Sequence, residues 1–226
     1  MGNAKQEIIK RIQNLSGRYS PYNIFSDWIE CSALAIQNTC TLPHTELWEA
    51  REKEYLDIMN RYNQDERFAI RELFFLLVDA LEEEMTDVLG EVYMAAGLGS
   101  KYTGQFFTPF HLSELTAKMA MSDSIQSFKA GMTKLITLTE PSCGGGGMII
   151  AAAKILKDEG INYQRYLDVV AQDLDWKGVY MTYLQLSLLG IKAKVVQGDT
   201  LADPYRIGYP PERIMRTPGD MGVLLL

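Results

Sequence analysis

The residues whose types and spacing could do chemistry fall in three places, each at the end of a short β-branched run. The first is Glu140-Pro141-Ser142-Cys143-Gly144-Gly145-Gly146-Gly147, between LITLTE (135–140) and the helix-like GMIIAAAKILKDEG (147–160). Glycines there let the backbone turn sharply and approach a ligand closely, because no Cβ intervenes. The following helix start offers unpaired N–H groups to an anionic group. No Gly-Lys-Ser/Thr follows, so this is not a phosphate-binding P-loop, and the GxGxxG spacing of a dinucleotide site is missing. The second place is Ala171-Gln172-Asp173-Leu174-Asp175, closing YLDVVAQD (166–173). A carboxylate at such a strand tip can accept both hydrogen bonds of a ribose diol; Asp175 reads as the cap of the next helix. The third is Gly198-Asp199-Thr200-Leu201, closing AKVVQGD (193–199). A carboxylate there can accept from the exocyclic amine of an adenine lying over the strand ends. Acidic residues thus end three successive strands, at Glu140, Asp173 and Asp199. That arrangement predicts a convergent site at the C-terminal edge of a parallel sheet.

The elements that must position these groups alternate strand and helix from Gly97 onward, the pattern of an α/β unit. A helix over 176–190 links the second and third strands, and MGVLLL (221–226) reads as a fourth strand. Upstream, Thr103-Gly104-Gln105-Phe106-Phe107-Thr108-Pro109 precedes HLSELTAKMAM, with Thr108 as a candidate N-cap and Pro109 at the first helical position. On local grounds this segment reads equally as a plain helix start with aromatic packing or as a functional loop. Residues 1–97 read as helix throughout. Ile8, Ile9, Ile12 and Leu15 form one apolar face, a second helix starts from Ser26, a third from Thr45, and a fourth runs over 65–84 with Phe68, Leu73, Phe74, Leu77 and Leu81 apolar. The expected domains are 1–97, helical, and 98–226, α/β.

Composition limits the function classes. The chain has 226 residues, 47% hydrophobic and 23% charged, as in ordinary globular proteins. No apolar run reaches the ~18–20 residues of a membrane span, and the N-terminus lacks the apolar core of a secretory leader. Cys31, Cys40 and Cys143, with only His44 and His111 as histidines, are too few and too scattered for a disulfide framework or a zinc site, so no metal is expected. A reducing, cytoplasmic location fits. The net charge of −7 opposes a strong nonspecific grip on nucleic acid, without excluding a DNA enzyme whose DNA contacts a partner subunit supplies.

GQFFTP, the PSCGGGG loop, the Gln-acid-Leu-Asp strand end, LSLLGI and GDTL occur in this order across about 101–201. This succession resembles the modification subunit of type I restriction-modification systems, a family of N6-adenine DNA methyltransferases. The resemblance implies an α/β, Rossmann-like methyltransferase core that uses S-adenosylmethionine, with a truncated parallel sheet, behind an N-terminal helical domain. By position, Phe107, Thr108 and Pro109 match the segment against the methionine end of the cofactor. Glu140, Pro141, Cys143, Gly144 and Gly146 match its glycine loop, Asp173 the ribose-binding acid and Asp199 the residue near the adenine.

The family places an Asn-Pro-Pro-aromatic motif directly after the fourth strand, where it holds a flipped-out adenine. That motif is missing here, so no catalytic residue is assigned. Tyr209-Pro210-Pro211-Glu212 precedes the strand, has Tyr where Asn is needed, and reads as a rigid loop. Ending at an interior strand would expose VLLL as an edge, so a homodimer or a partner chain covering it is expected. Two readings follow: a DNA adenine methyltransferase completed by a partner chain, or a catalytically inactive S-adenosylmethionine-binding regulatory or anti-restriction protein that pairs with a modification subunit.

Overall fold

The computed structural model describes residues 2–99 and 107–223. Gly104 to Phe106 of the GQFFTP segment and Leu224 to Leu226 of the expected fourth strand lie outside the described residues. The chain forms two compact units, one of Met1–Glu84 with Val88–Phe107, the other of Met85–Asp87 with Thr108–Leu226.

The first unit is helical: α1 (Asn3–Leu15), α2 (Pro21–Thr39), α3 (Glu46–Met59), α4 (Gln64–Glu83) and α5 (Val88–Ala95). Ile8, Ile12, Phe25, Trp28, Leu73, Leu77 and Tyr93 are fully buried. Each such side chain contributes roughly 1.5–3 kcal/mol by leaving water. Phe25 lies between Trp28 and Tyr93, with ring centroids 5.8 and 5.5 Å away. Lys5 is buried and ion-paired with Glu84 at 3.2 Å and Glu91 at 2.7 Å. Two expectations need correction. Helix α2 starts at Pro21, capped by the Ser20 hydroxyl, because proline at the first helical position has its φ preset and no N–H to lose; Ser26 therefore sits inside the helix. Phe68 is 60% exposed, since it falls on the outer side of α4, opposite Leu73 and Leu77. Thr45 does cap α3: its hydroxyl accepts from the Trp48 N–H at 3.3 Å and donates to the Leu42 carbonyl at 3.1 Å.

The second unit opens with α6 (Phe110–Lys129). It continues through β1 (Ile136–Glu140), α7 (Gly147–Asp158), the single turn α8 (Tyr163–Tyr166), β2 (Leu167–Asp173), α9 (Trp176–Leu188) and β3 (Lys192–Gln197). A 3₁₀ turn (Pro211–Arg213), β4 (Ile214–Arg216) and α10 (Pro218–Met221) close it. The strands lie in the order β1-β2-β3-β4. β1, β2 and β3 are parallel, as strands linked by helical crossovers must be, and their register sets Glu140 opposite Ala171 and Asp173 opposite Gln197. All three therefore end at the same edge. Leu167, Val169 and Ala171 on β2 and Ala193, Val195 and Val196 on β3 are fully buried, as is most of α9.

The fourth strand differs from expectation. Met221 belongs to a capped turn: the Thr217 hydroxyl accepts from the Asp220 N–H, Pro218 occupies the first position, and Gly222 ends it at φ +73°. The strand that forms instead, β4, runs antiparallel to β3. It is held from behind by Thr217, whose hydroxyl donates to the Ile191 carbonyl at 2.8 Å and accepts from the Ala193 N–H at 2.9 Å. Thr108 is not the cap of α6 either. Pro109 holds that position with no side-chain hydrogen bond, a one-residue shift of the kind common at helix ends.

Within the helical unit, burial pushes the Glu30 carboxyl up to about 7, reinforced by a hydrogen bond to Glu54 and by the negative charges of Glu54 and Asp27, against Arg61. A carboxyl that binds its proton more tightly in the fold stabilises fully below its unfolded pKa, and that stability is lost as pH rises towards 7. Glu30→Gln is expected to gain on the wild type by on the order of 1 kcal/mol between pH 5 and 7.5, the site being partly solvated; denaturant midpoints across that range check it. Asn63 caps α4 in a reciprocal pair with Glu66, so Asn63→Ala should cost about 1 kcal/mol in the same measurement.

Candidate functional site

The loop after β1 is tied down on every side. The Cys143 N–H donates to the Gln172 carbonyl at 3.0 Å, and the Gly144 N–H to Asp173 Oδ2 at 2.8 Å. From α9, Thr182 Oγ1 donates to the Gly144 carbonyl at 2.9 Å and Gln185 Nε2 to the Gly145 carbonyl at 2.7 Å. From the loop after β3, Thr200 Oγ1 donates to the Pro141 carbonyl at 2.6 Å. Gly146 caps α7 at φ +91°, and a Cβ there would meet the Thr182 side chain at 3.2 Å. Glycine is needed at this position by both backbone and space.

Asp173 ends β2 with its carboxylate turned along the sheet edge. Oδ2 accepts from Gly144 and Oδ1 from the Asp175 N–H at 3.0 Å, while its carbonyl accepts from the Gly198 N–H at 2.8 Å. A carboxylate has about four acceptor positions, so two hydroxyls can still be received. Asp175 caps α9, accepting from the Lys177 N–H. Asp199 is exposed, and its Oδ1 accepts from the Leu201 and Ala202 N–H groups at 2.9 and 3.2 Å. Glu140 accepts from the Ser142 N–H at 3.2 Å. Its carboxyl is raised above the usual range by burial, with the negative charge of Asp173 adding to the effect and the Ser142 hydrogen bond opposing it.

The structure therefore brings Glu140, Pro141, Cys143, Gly144, Gly146, Asp173 and Asp199 to one edge. Thr108 and Pro109, of the same unit as that edge, are not hydrogen-bonded to it among the described residues. Phe107 belongs to the helical unit, its ring 5.2 Å from Tyr93. Cys143 is buried, which pushes its thiol far up and makes it unreactive. Tyr209 is buried and donates to the Gln197 carbonyl at 3.3 Å, a structural role for the Tyr-Pro-Pro segment. A groove of 540 Å³ between α6 and α7 is lined by Glu114, Lys118, Lys129 and Glu159 and includes none of the strand-end residues. Its size alone carries no chemistry, whereas acceptors and loop amides converge at the sheet edge. Among the described residues no group of three or more potential ligands could hold a metal, and no helix is long and apolar enough to cross a membrane.

Sequence reading misses Thr182, Gln185, Thr200 and Asp87. For the first two a signal exists, since they are polar and three residues apart in the mostly apolar middle of α9. Asp87 carries none, being 98 positions from its partner Gln185.

The family model described as N-6 DNA methylase matches residues 84–217, more than half of the chain. The type I restriction enzyme MjaIX methylase subunit of Methanocaldococcus jannaschii is 26% identical over 127 residues, covering 54% of this chain and 21% of that protein. The chain thus spans about a fifth of that relative's length. Among solved structures, the type I restriction-modification system methyltransferase subunit of Streptococcus thermophilus is similar at a TM-score of 0.46 and 12% identity, covering 91% of this chain and 61% of that one.

Replacing Gly146 by alanine should cost roughly 1–3 kcal/mol, from a left-handed backbone forced on an L-residue plus the Thr182 contact. Equilibrium denaturation checks it, with Gly160→Ala, which has the same backbone sign but open space around it, separating the two contributions.

Proposed function

Because the chain belongs to the N-6 DNA methylase family, we propose that the edge formed by β1, β2 and β3 binds S-adenosylmethionine, and that the assembly containing this chain methylates adenine N6 in DNA. The observation that supports this best is Asp173, held by Gly144 and Asp175 yet with acceptor positions to spare. In this reading Asp173 receives the two ribose hydroxyls, the exposed Asp199 receives the adenine amine, and the glycine loop allows the methionine portion to approach the backbone. By their place in the family pattern alone, Thr108 and Pro109 are the further candidates for that end. The fit is also electrostatic: a ligand bearing a sulfonium and an ammonium suits an edge where Glu140, Asp173 and Asp199 gather. When bound, the cofactor supplies an electrophilic methyl group. The residues of this chain bind and orient it, and Glu140, half-buried beside the loop, keeps negative charge near the cationic end.

A net charge of −7 opposes a strong nonspecific grip on DNA, so a partner subunit is the expected source of the phosphate contacts. Restriction-modification is the corresponding biological setting, and a cytoplasmic location suits it.

Calorimetry of the purified chain with S-adenosylmethionine is expected to give measurable binding. Asp173→Ala should weaken it roughly tenfold to a hundredfold, the loss of charge-assisted hydrogen bonds worth about 1.5–3 kcal/mol. No affinity in the wild type would end the cofactor reading. Tritiated methyl transfer to DNA by the assembly purified through this chain, lost with Asp173→Ala, tests the activity.

A further inference from the structure

Asp87 lies outside every motif considered so far, in the short segment joining α4 to α5, and groups with the second unit. It is 4% exposed, beneath the glycine loop. Its Oδ1 accepts from Gln185 Nε2 at 2.8 Å, and the same amide nitrogen donates to the Gly145 carbonyl at 2.7 Å. The two protons of one side-chain amide thus bridge a carboxylate and the loop backbone. Gln185 is fully buried, so neither bond is open to exchange with water. The carboxylate also fixes which residues the loop tolerates: a Cβ on Gly145 would come within 2.7 Å of Asp87 Oδ2, and one on Gly147 within 3.2 Å.

One turn earlier on α9, Thr182 holds the Gly144 carbonyl. A trans peptide sets its carbonyl and N–H on opposite sides. Anchoring the Gly144 carbonyl on α9 therefore turns the Gly145 N–H away from α9. The orientation of Gln185 decides whether the next carbonyl is held too. A glutamine amide keeps one orientation when fixed acceptors receive from it, and Asp87 Oδ1 receives from the same nitrogen that holds the Gly145 carbonyl.

We propose that Asp87 is a positioning residue for the cofactor loop, acting through Gln185 to set the Gly144–Gly145 backbone that meets the methionine portion of the ligand. This rests on the cofactor reading above. Asp87 does not touch the ligand. Its Oδ1 accepts from the Gln185 amide and orients it, and that amide holds the loop.

The test is S-adenosylmethionine affinity of the purified chain by calorimetry, with thermal unfolding measured on the same samples. Asp87→Asn and Gln185→Leu are each expected to weaken binding about tenfold, the effect of one charge-assisted or buried hydrogen bond. The double variant should be no weaker than the poorer single, because both residues act through one linkage. Asn63→Ala, in the helical unit, should lower stability while leaving affinity unchanged. If Asp87→Asn does not fold, Gln185→Leu and Thr182→Val decide: weakened affinity in both supports the proposal. Unchanged affinity in the folded variants, or additive losses in the double variant, overturns it while leaving the cofactor reading intact. A wild-type chain that fails to bind removes both.

Discussion

The last two residues of β2 hold the site together. Gln172 and Asp173 receive the loop that precedes them in space and the one that follows. The Gln172 carbonyl takes the Cys143 N–H, and the Asp173 carboxylate takes the Gly144 N–H. On the other side the Asp173 carbonyl takes the Gly198 N–H. The Gln172 side chain, 3% exposed, donates to the Asp203 carbonyl at 3.0 Å and accepts from the Tyr205 N–H at 3.0 Å. The loops after β1 and β3 thus take their shape from one strand end. The parallel register makes this possible: Glu140 pairs with Ala171 and Asp173 with Gln197, so that both loops leave the sheet close to the same dipeptide. A side-chain amide at 172 supplies a donor and an acceptor at once, whereas a carboxylate or an aliphatic residue there would leave buried backbone groups unpaired.

Much of this was legible because it is local. β1 and β2 stop at the expected acids, Glu140 and Asp173, whereas β3 stops at Gln197 and leaves Asp199 in the following loop; α7 and α9 end just before Gly160 and Gly190 take positive φ. Asp175 caps α9 as its position before an apolar run suggests. The glycine loop was recognisable from its own residues. The start of the expected fourth strand was misread for the opposite reason. Met221 and Gly222 open an apolar run of strand composition, but Thr217, Pro218, Asp220 and Gly222 carry the start and stop signals of a capped turn, and at these two residues those outweigh composition. β4 itself is only three residues long. It exists because Thr217 reaches Ile191 and Ala193, some 24 to 26 positions earlier, a pairing no local window contains.

The polar residues inside the apolar elements were the least legible part of the site. Thr182 and Gln185 are fully buried on α9, among Val179, Met181, Leu184 and Leu186. Read by composition they are minor irregularities in a core helix. Their meaning appears only when the loop carbonyls of Gly144 and Gly145 arrive as partners. Asp87 is a stronger case, since a single aspartate between two helices has the look of an ordinary cap.

Burying such groups is costly unless every one is paired, since an unsatisfied buried polar atom costs about 1–3 kcal/mol. The pairing used here runs to backbone carbonyls, which are fixed in place only if the loop has one conformation. The cost of burial and the order of the loop are therefore linked. Thr182, Gln185 and Asp87 can be buried because the loop is ordered, and the loop is ordered because they are buried. A glycine-rich segment left to itself would lose more backbone entropy on ordering than any other. In this fold that entropy is offset during folding, by side chains behind the loop, so a ligand arriving at the sheet edge meets a surface already shaped and need not pay for ordering it.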